Sequence, residues 1–219
     1  MRPFLQESYM ASPVEICNLA LSFLGDSGSI ATIDPPDGTA QSSMCATYYP
    51  IAKAAMLEMH EWSFATRRKL LAKVGGEDTM GWKGVYALPS DCLRAIRVQA
   101  YKDQQASRYV YGQTWGFETV VDANFERIGD RVFTNVTDPV LTYLTSEVAE
   151  GYFSPTFVTA FAYYLAMEIA GSRIKGEEGQ KLAANLNRSF QQALSVAKTR
   201  DANQQRKQVV FTPTWILRR

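Results

Sequence analysis

The chain has one histidine, three cysteines and almost no surplus of either charge, and each scarcity narrows the chemistry available to it. A Ser-His-Asp relay has only His60 to draw on, and His60 stands at the end of a helical run beside Glu61 and Trp62. Cys17, Cys45 and Cys92 lie far apart without a C-x-x-C pair. Their spacing gives neither a disulfide framework nor, with His60, a zinc site. Reduced, mostly buried thiols in a protein made in a reducing cytoplasm are expected. Net charge is +1, from 23 basic and 22 acidic residues, so the totals lack the concentrated cationic excess of a tight phosphate binder. No run approaches the ~20 apolar residues of a membrane span. The longest, Phe157 to Ala170, contains Thr159 and Glu168, and Met1 to Glu7 lacks the apolar segment of a secretory signal. A soluble protein with no membrane partner is therefore expected.

What is present is ordinary for a globular chain: 46% hydrophobic and 21% charged among 219 residues, enough for a core without disulfides or metals. Ser12-Pro13-Val14-Glu15 reads as a capping box with proline at the first helical position. Ile16, Leu19, Ala20, Phe23 and Leu24 then recur at helical spacing before Gly25, which predicts a helix over 13–24. After the loop of Asp26 to Gly38, Thr39 or Asp37 opens a second helix to about residue 60, with a kink expected at Pro50. Such a helix could line the first in an antiparallel pair.

The period changes beyond the Gly75–Gly84 loop. Val85–Leu88, Leu93–Gln99, Tyr109–Tyr111, Phe117–Val121, Phe125–Ile128, Arg131–Thr134 and Val140–Thr145 read as strands, with Gly129-Asp130 a two-residue hairpin turn. Helix returns at Ser154-Pro155. A last long helix opens at Glu177-Glu178 and carries Leu182, Leu186, Phe190, Leu194 and Ala197 on one stripe. Thr199 to Gln208 is polar nearly all round, so a helix there needs a partner or stays solvated.

The predicted fold class is α+β: a bundle of about four helices with a small antiparallel β module inserted and an extended C-terminal tail. The expected parts are a helical region 1–84, a β-rich module 85–146, C-terminal helices 147–208 completing the bundle, and the tail 209–219.

The tail, Val209-Val210-Phe211-Thr212-Pro213-Thr214-Trp215-Ile216-Leu217-Arg218-Arg219, is apolar and β-prone where termini are normally polar. Its composition fits either an interface anchor or a segment folded back on its own core. Phe211, Trp215, Ile216 and Arg218 are the candidate interface residues. Arg67-Arg68-Lys69 is the densest internal basic cluster, a candidate for DNA phosphates, though three charges within a balanced total more often mark a solvated face. Glu58 and Glu61 stand i and i+3 on the second helix, a spacing at which paired carboxylates can do acid–base work. The Gly75-Gly76 and Gly81–Gly84 stretches lack phosphate-loop spacing, and Asp34-Pro35-Pro36-Asp37 lacks that of a calcium loop. No catalytic, cofactor or metal site is assigned.

An ordered set of segments resembles a known family. They are Ile16-Cys17-Asn18-Leu19-Ala20-Leu21 with Leu24-Gly25 and Ile30, Asp37-Gly38-Thr39-Ala40, and Cys45 with Tyr49-Pro50-Ile51-Ala52-Lys53. Trp62-Ser63-Phe64-Ala65 with Arg67-Arg68 and Leu71-Ala72 follow, then Tyr86-Ala87-Leu88-Pro89-Ser90-Asp91-Cys92-Leu93-Arg94. Their order and spacing resemble the tail tubular protein A group, the head-to-tail adaptors of short-tailed phages, over about residues 12 to 98. The C-terminal helices match in general layout. The resemblance implies a virion tail component without enzyme activity or cofactors. It implies a homo-oligomeric ring, typically of about twelve copies, beneath the portal protein. A tail nozzle protein would lie below it, tail fibres would dock at its side, and a channel for genome passage would give transient, non-specific contact with DNA. Arg67, Arg68 and Lys69 are the residues considered for that channel. The competing expectation is a muramidase-like hydrolase using Glu58 and Glu61.

Overall fold

The computed structural model describes residues 11–75, 79–100, 122–173 and 176–204. The strands expected at Tyr109–Tyr111 and Phe117–Val121 lie outside the described residues, as does the tail with Phe211, Trp215, Ile216 and Arg218. Within them the protein is α+β, with four α-helices and two antiparallel sheets of three strands.

Helix α1 spans Pro13–Phe23 and begins as its sequence dictates. The Glu15 N–H donates to Ser12 Oγ at 3.1 Å while the Ser12 N–H donates to Glu15 Oε2 at 2.9 Å. It ends at Gly25, whose φ of +76° a side chain would strain. Gly25 N–H bonds to Ser22 O and Asp26 N–H to Leu21 O, a Schellman closure. Helix α2 spans Ala40–Glu58, with Thr39 Oγ1 accepting from Ser42 N–H at its start. It continues through Pro50, whose missing N–H deprives the Ala46 carbonyl of its usual donor.

Helices α3 (Pro155–Arg173) and α4 (Glu177–Gln204) form an antiparallel hairpin turned at Gly176, where φ is +85°. Helix α3 is the hub: Phe157, Val158, Ala160, Phe161, Ala162, Leu165, Ala166, Ile169 and Ala170 are all buried, covering most of its circumference. A helix apolar nearly all round must be surrounded. Here α1, α2 and α4 surround it, and α1 and α2 each lie mainly on α3. The antiparallel α1–α2 pair expected from the sequence is therefore only a marginal contact, because α3 offers both helices more apolar surface. No helix among the described residues is long and apolar enough to cross a membrane.

The first sheet has the order β1-β6-β3, with β1 at Thr66–Leu70, β6 at Pro139–Thr145 and β3 at Cys92–Ala100. The second has the order β2-β5-β4, with β2 at Gly84–Ala87, β5 at Arg131–Thr134 and β4 at Phe125–Ile128. Strands β4 and β5 form the expected hairpin through Gly129-Asp130, with Ile128 paired to Arg131 and Gly129 at a φ of +59°. Gly84 is required for packing: a Cβ there would meet the Tyr86 ring at 2.9 Å. A small second core of Leu71, Tyr86, Val98, Val132, Leu141 and Tyr143 joins the sheets.

The segment 66–70, read from sequence as a basic run within the helical part, is strand β1, with Arg67 opposite Tyr143 and Lys69 opposite Leu141. It ties the N-terminal helices to the sheet. An aromatic knot holds that junction. Trp62 meets Phe157 edge-on at 4.8 Å, Phe64 meets the same ring at 5.1 Å, and Phe153 lies 4.7 Å from it. Trp62 Nε1 is satisfied by the Met56 carbonyl at 2.9 Å.

Candidate interaction surface

The basic run sits on an edge. Strand β1 borders its sheet, and Arg67 through Leu70 are exposed. The sheet alternation puts Arg67 and Lys69 on one face and Arg68 on the other. Beside them opens a depression of about 500 Å³ lined by Arg67, Arg68, Lys69, Asp91, Tyr143 and Glu147.

Asp91 anchors its floor. It lies in the turn before β3 and accepts from Tyr143 Oη at 3.1 Å and from Thr145 Oγ1 at 2.8 Å. Arg67 Nη1 stands 3.7 Å from it, while Arg67 Nη2 donates to the Glu147 carbonyl at 3.0 Å. Burial works against the charge, but the bonds from Thr145 and Tyr143, with Arg67 beside them, hold the Asp91 carboxyl below its ordinary range. Burial and the same carboxylate push the Tyr143 phenol up to about 12, so it remains a hydrogen-bond donor. The site is thus a fixed ionic frame around Arg67, with Arg68 and Lys69 outside it. Among the described residues neither of those two is ion-paired.

Glu58 and Glu61 do not share a helix face. Helix α2 ends at Glu58, and Glu61 lies beyond it, both exposed. Arg94 takes both neighbourhoods: Nη1 donates to the Glu58 carbonyl at 3.2 Å and Nη2 stands 3.6 Å from Glu61 Oε1. The helix spacing that suggested a shared face thus does not extend to Glu61.

Ser63, His60 and Asp201 do converge, though in the wrong order for acyl transfer. Ser63 Oγ donates to Asp201 Oδ1 at 2.6 Å, and His60 Nε2 stands 3.5 Å from Asp201 Oδ2. The carboxylate is central, so the serine proton is turned toward the acid rather than the imidazole that would have to remove it. Burial lowers the His60 pKa against the pull of Asp201. Asp201 also accepts the Ser63 N–H at 3.1 Å, tying α4 to the 3-10 turn at Ser63–Ala65.

Glu150 plays a similar part across the bundle. It accepts from Lys53 Nζ at 2.7 Å and Tyr49 Oη at 3.0 Å, and Lys53 also reaches the Val148 carbonyl at 2.8 Å. Asp37, considered as part of a cation loop, has its carboxylate filled by Ala31 N–H, Thr39 N–H and Thr39 Oγ1 at 2.9, 2.9 and 2.6 Å. Cys17 and Cys45 are buried, and the neighbouring Cys45 thiol together with burial pushes the Cys17 thiol up; Cys92 is half-buried. Asp201 and Glu150 were not singled out from sequence. Each stands in an unremarkable polar context and acts on a partner remote in the chain.

No family model matches the chain, and no curated protein matches it.

Proposed function

We propose that this chain is a structural head-to-tail adaptor of the tail tubular protein A kind, forming a ring between portal and tail nozzle with a channel for genome passage. The reading rests on the ordered segments of residues 12 to 98. Their residues also hold the fold by contacts remote in sequence. Asn18 clasps Ile30 through Nδ2–H to O at 3.1 Å and N–H to Oδ1 at 2.8 Å. Tyr49 and Lys53 hold Glu150, Trp62 fills the aromatic knot, and Asp91 frames Arg67. A set of residues in that order, each with such a constraint, is what a common fold would retain.

A ring uses one patch of each copy against a different patch of the next. The long helices and the open sheet edge offer such patches, and Phe211, Trp215, Ile216 and Arg218 are the proposed anchors to portal or the adjacent copy. In this reading the chain acts by positioning other proteins, has no reaction of its own, and resides in the virion tail with nozzle and fibres as neighbours.

The test is electron microscopy of the purified protein, alone and mixed with the portal of the same virion. Closed rings seated on the portal are expected, and they should be lost in the Phe211→Ala/Trp215→Ala variant. A protein that neither joins the portal nor closes into a ring refutes the proposal.

A further inference from the structure

Among the described residues only one side of β1 is used. The Leu71 N–H donates to Pro139 O at 2.9 Å, so in the antiparallel alternation Arg67 and Lys69 turn their backbone groups to β6. Arg68 and Leu70 therefore turn theirs outward. Thr66 is already closed, its N–H returning to the Ser63 carbonyl. Among the described residues nothing takes the outward N–H and C=O groups of Arg68 and Leu70. The Leu70 side chain beside them is 52% exposed.

Such an edge is a template for another strand, and cationic side chains are a common defence of it. That defence is selective. Two copies of β1 side by side would oppose Arg and Lys to Arg and Lys, which repels self-pairing. An acidic strand meets the opposite sign. Arg67 is spoken for by Asp91 and Glu147, whereas Arg68 and Lys69 have no ion pair among the described residues. These two cations point to opposite faces of the strand. A phosphate chain laid on one face reaches Arg68 alone, and on the other face Lys69 together with Arg67's compensated charge. An added strand alternates with the same period and reaches both.

We propose that the outer edge of β1 receives an extended acidic segment of a partner protein as an additional strand. Its backbone pairs with Arg68 and Leu70, its carboxylates lie beside Arg68 and Lys69, and an apolar residue covers Leu70. This surface is independent of whether the chain closes into a ring.

The full chain is mixed with a labelled peptide of about ten residues in which Val residues flank an adjacent Glu-Glu pair, so that carboxylates stand on both faces of the added strand, with its Val-Lys counterpart, and with a single-stranded oligonucleotide of similar length. Binding is read by fluorescence anisotropy and by amide hydrogen exchange. The acidic peptide should bind and slow exchange at Arg68 and Leu70, with little change at Arg67 and Lys69, which already face β6. Arg68→Pro removes one outward donor without touching the β6 ladder and should weaken binding about tenfold or more at an unchanged melting temperature. Arg68→Glu/Lys69→Glu should shift preference to the Val-Lys peptide. The proposal is overturned if the Arg68 and Leu70 amides are already slow in the free chain. It is equally overturned if the oligonucleotide binds and the acidic peptide does not, if no probe binds, or if both variants leave the acidic peptide's affinity unchanged.

Discussion

Asp201, near the end of α4, accepts both the backbone N–H and the hydroxyl of Ser63, 138 residues earlier in the chain. Its side chain is only 6% exposed. The bond closes the bundle, because Ser63 opens the 3-10 turn that leads into β1 and follows Trp62 at the aromatic knot. Asp201→Ala leaves the half-buried Ser63 N–H without its acceptor and the hydroxyl with Gln204 Oε1 alone, at 3.4 Å, and should cost about 1–3 kcal/mol. Asp201→Asn keeps one acceptor oxygen and should cost about half as much. Urea unfolding with an unchanged m-value measures both. Equal stability of the alanine variant and wild type would show that α4 does not need this tie.

The ends of helices and the β4–β5 hairpin were legible because their causes are local. Ser12, Thr39 and Ser154 each precede the residues they cap, and Gly129-Asp130 carries its turn within two positions. Strand β1 was not legible. Thr66-Arg67-Arg68-Lys69-Leu70 has no apolar alternation, and it is a strand because β6, more than seventy residues on, supplies the ladder. The stretch beyond Thr199 looked solvated for a related reason: among its described residues the one buried member is an aspartate whose partner lies in another part of the chain. The basic cluster was found as charge, but its meaning as an edge needed the sheet order.

Glu150 and Lys53 should be energetically coupled. Their side chains are 18% and 19% exposed, and Tyr49 shares the carboxylate. Lys53→Met leaves Glu150 with Tyr49 alone, and Glu150→Gln leaves Lys53 with the Val148 carbonyl. Each single change should cost about 1–3 kcal/mol. The double variant should cost about 1 kcal/mol less than the sum, since the second change removes a partner already lost. Strict additivity in a double-mutant cycle would mean that the 2.7 Å contact carries no net energy.

The three thiols should separate by reactivity in the native protein. Cys17 and Cys45 are buried against each other beneath α1 and α2, whereas Cys92 is half-buried at the start of β3. A thiol reagent should modify Cys92 slowly, since burial pushes that thiol up, and should reach Cys17 and Cys45 only at the rate of unfolding. In denaturant all three should react at once. Rapid native labelling of Cys17, located by mass spectrometry, would place α1 in a far looser state than its packing on α3 implies.

The loop before α2 sets an acid limit. Bonds from Thr39 and Ala31 lower the Asp37 carboxyl from its ordinary 3.8 to about 2. The folded state thus holds the charged form more firmly than the unfolded chain does. The unfolded chain takes up the proton first as pH falls. The contribution of Asp37 is therefore fully present above 3.8, declines as pH drops through the interval, and is gone below about 2. Asp37→Asn removes that dependence, so its stability should fall less steeply than wild type between those pH values, read as melting temperature against pH. The same substitution keeps one acceptor oxygen for the Thr39 N–H and hydroxyl and gives up the bond from the Ala31 N–H, so the loop should still form at a lower overall stability. Parallel acid limbs for variant and wild type would show that the Asp37 bonds seen here do not persist in solution.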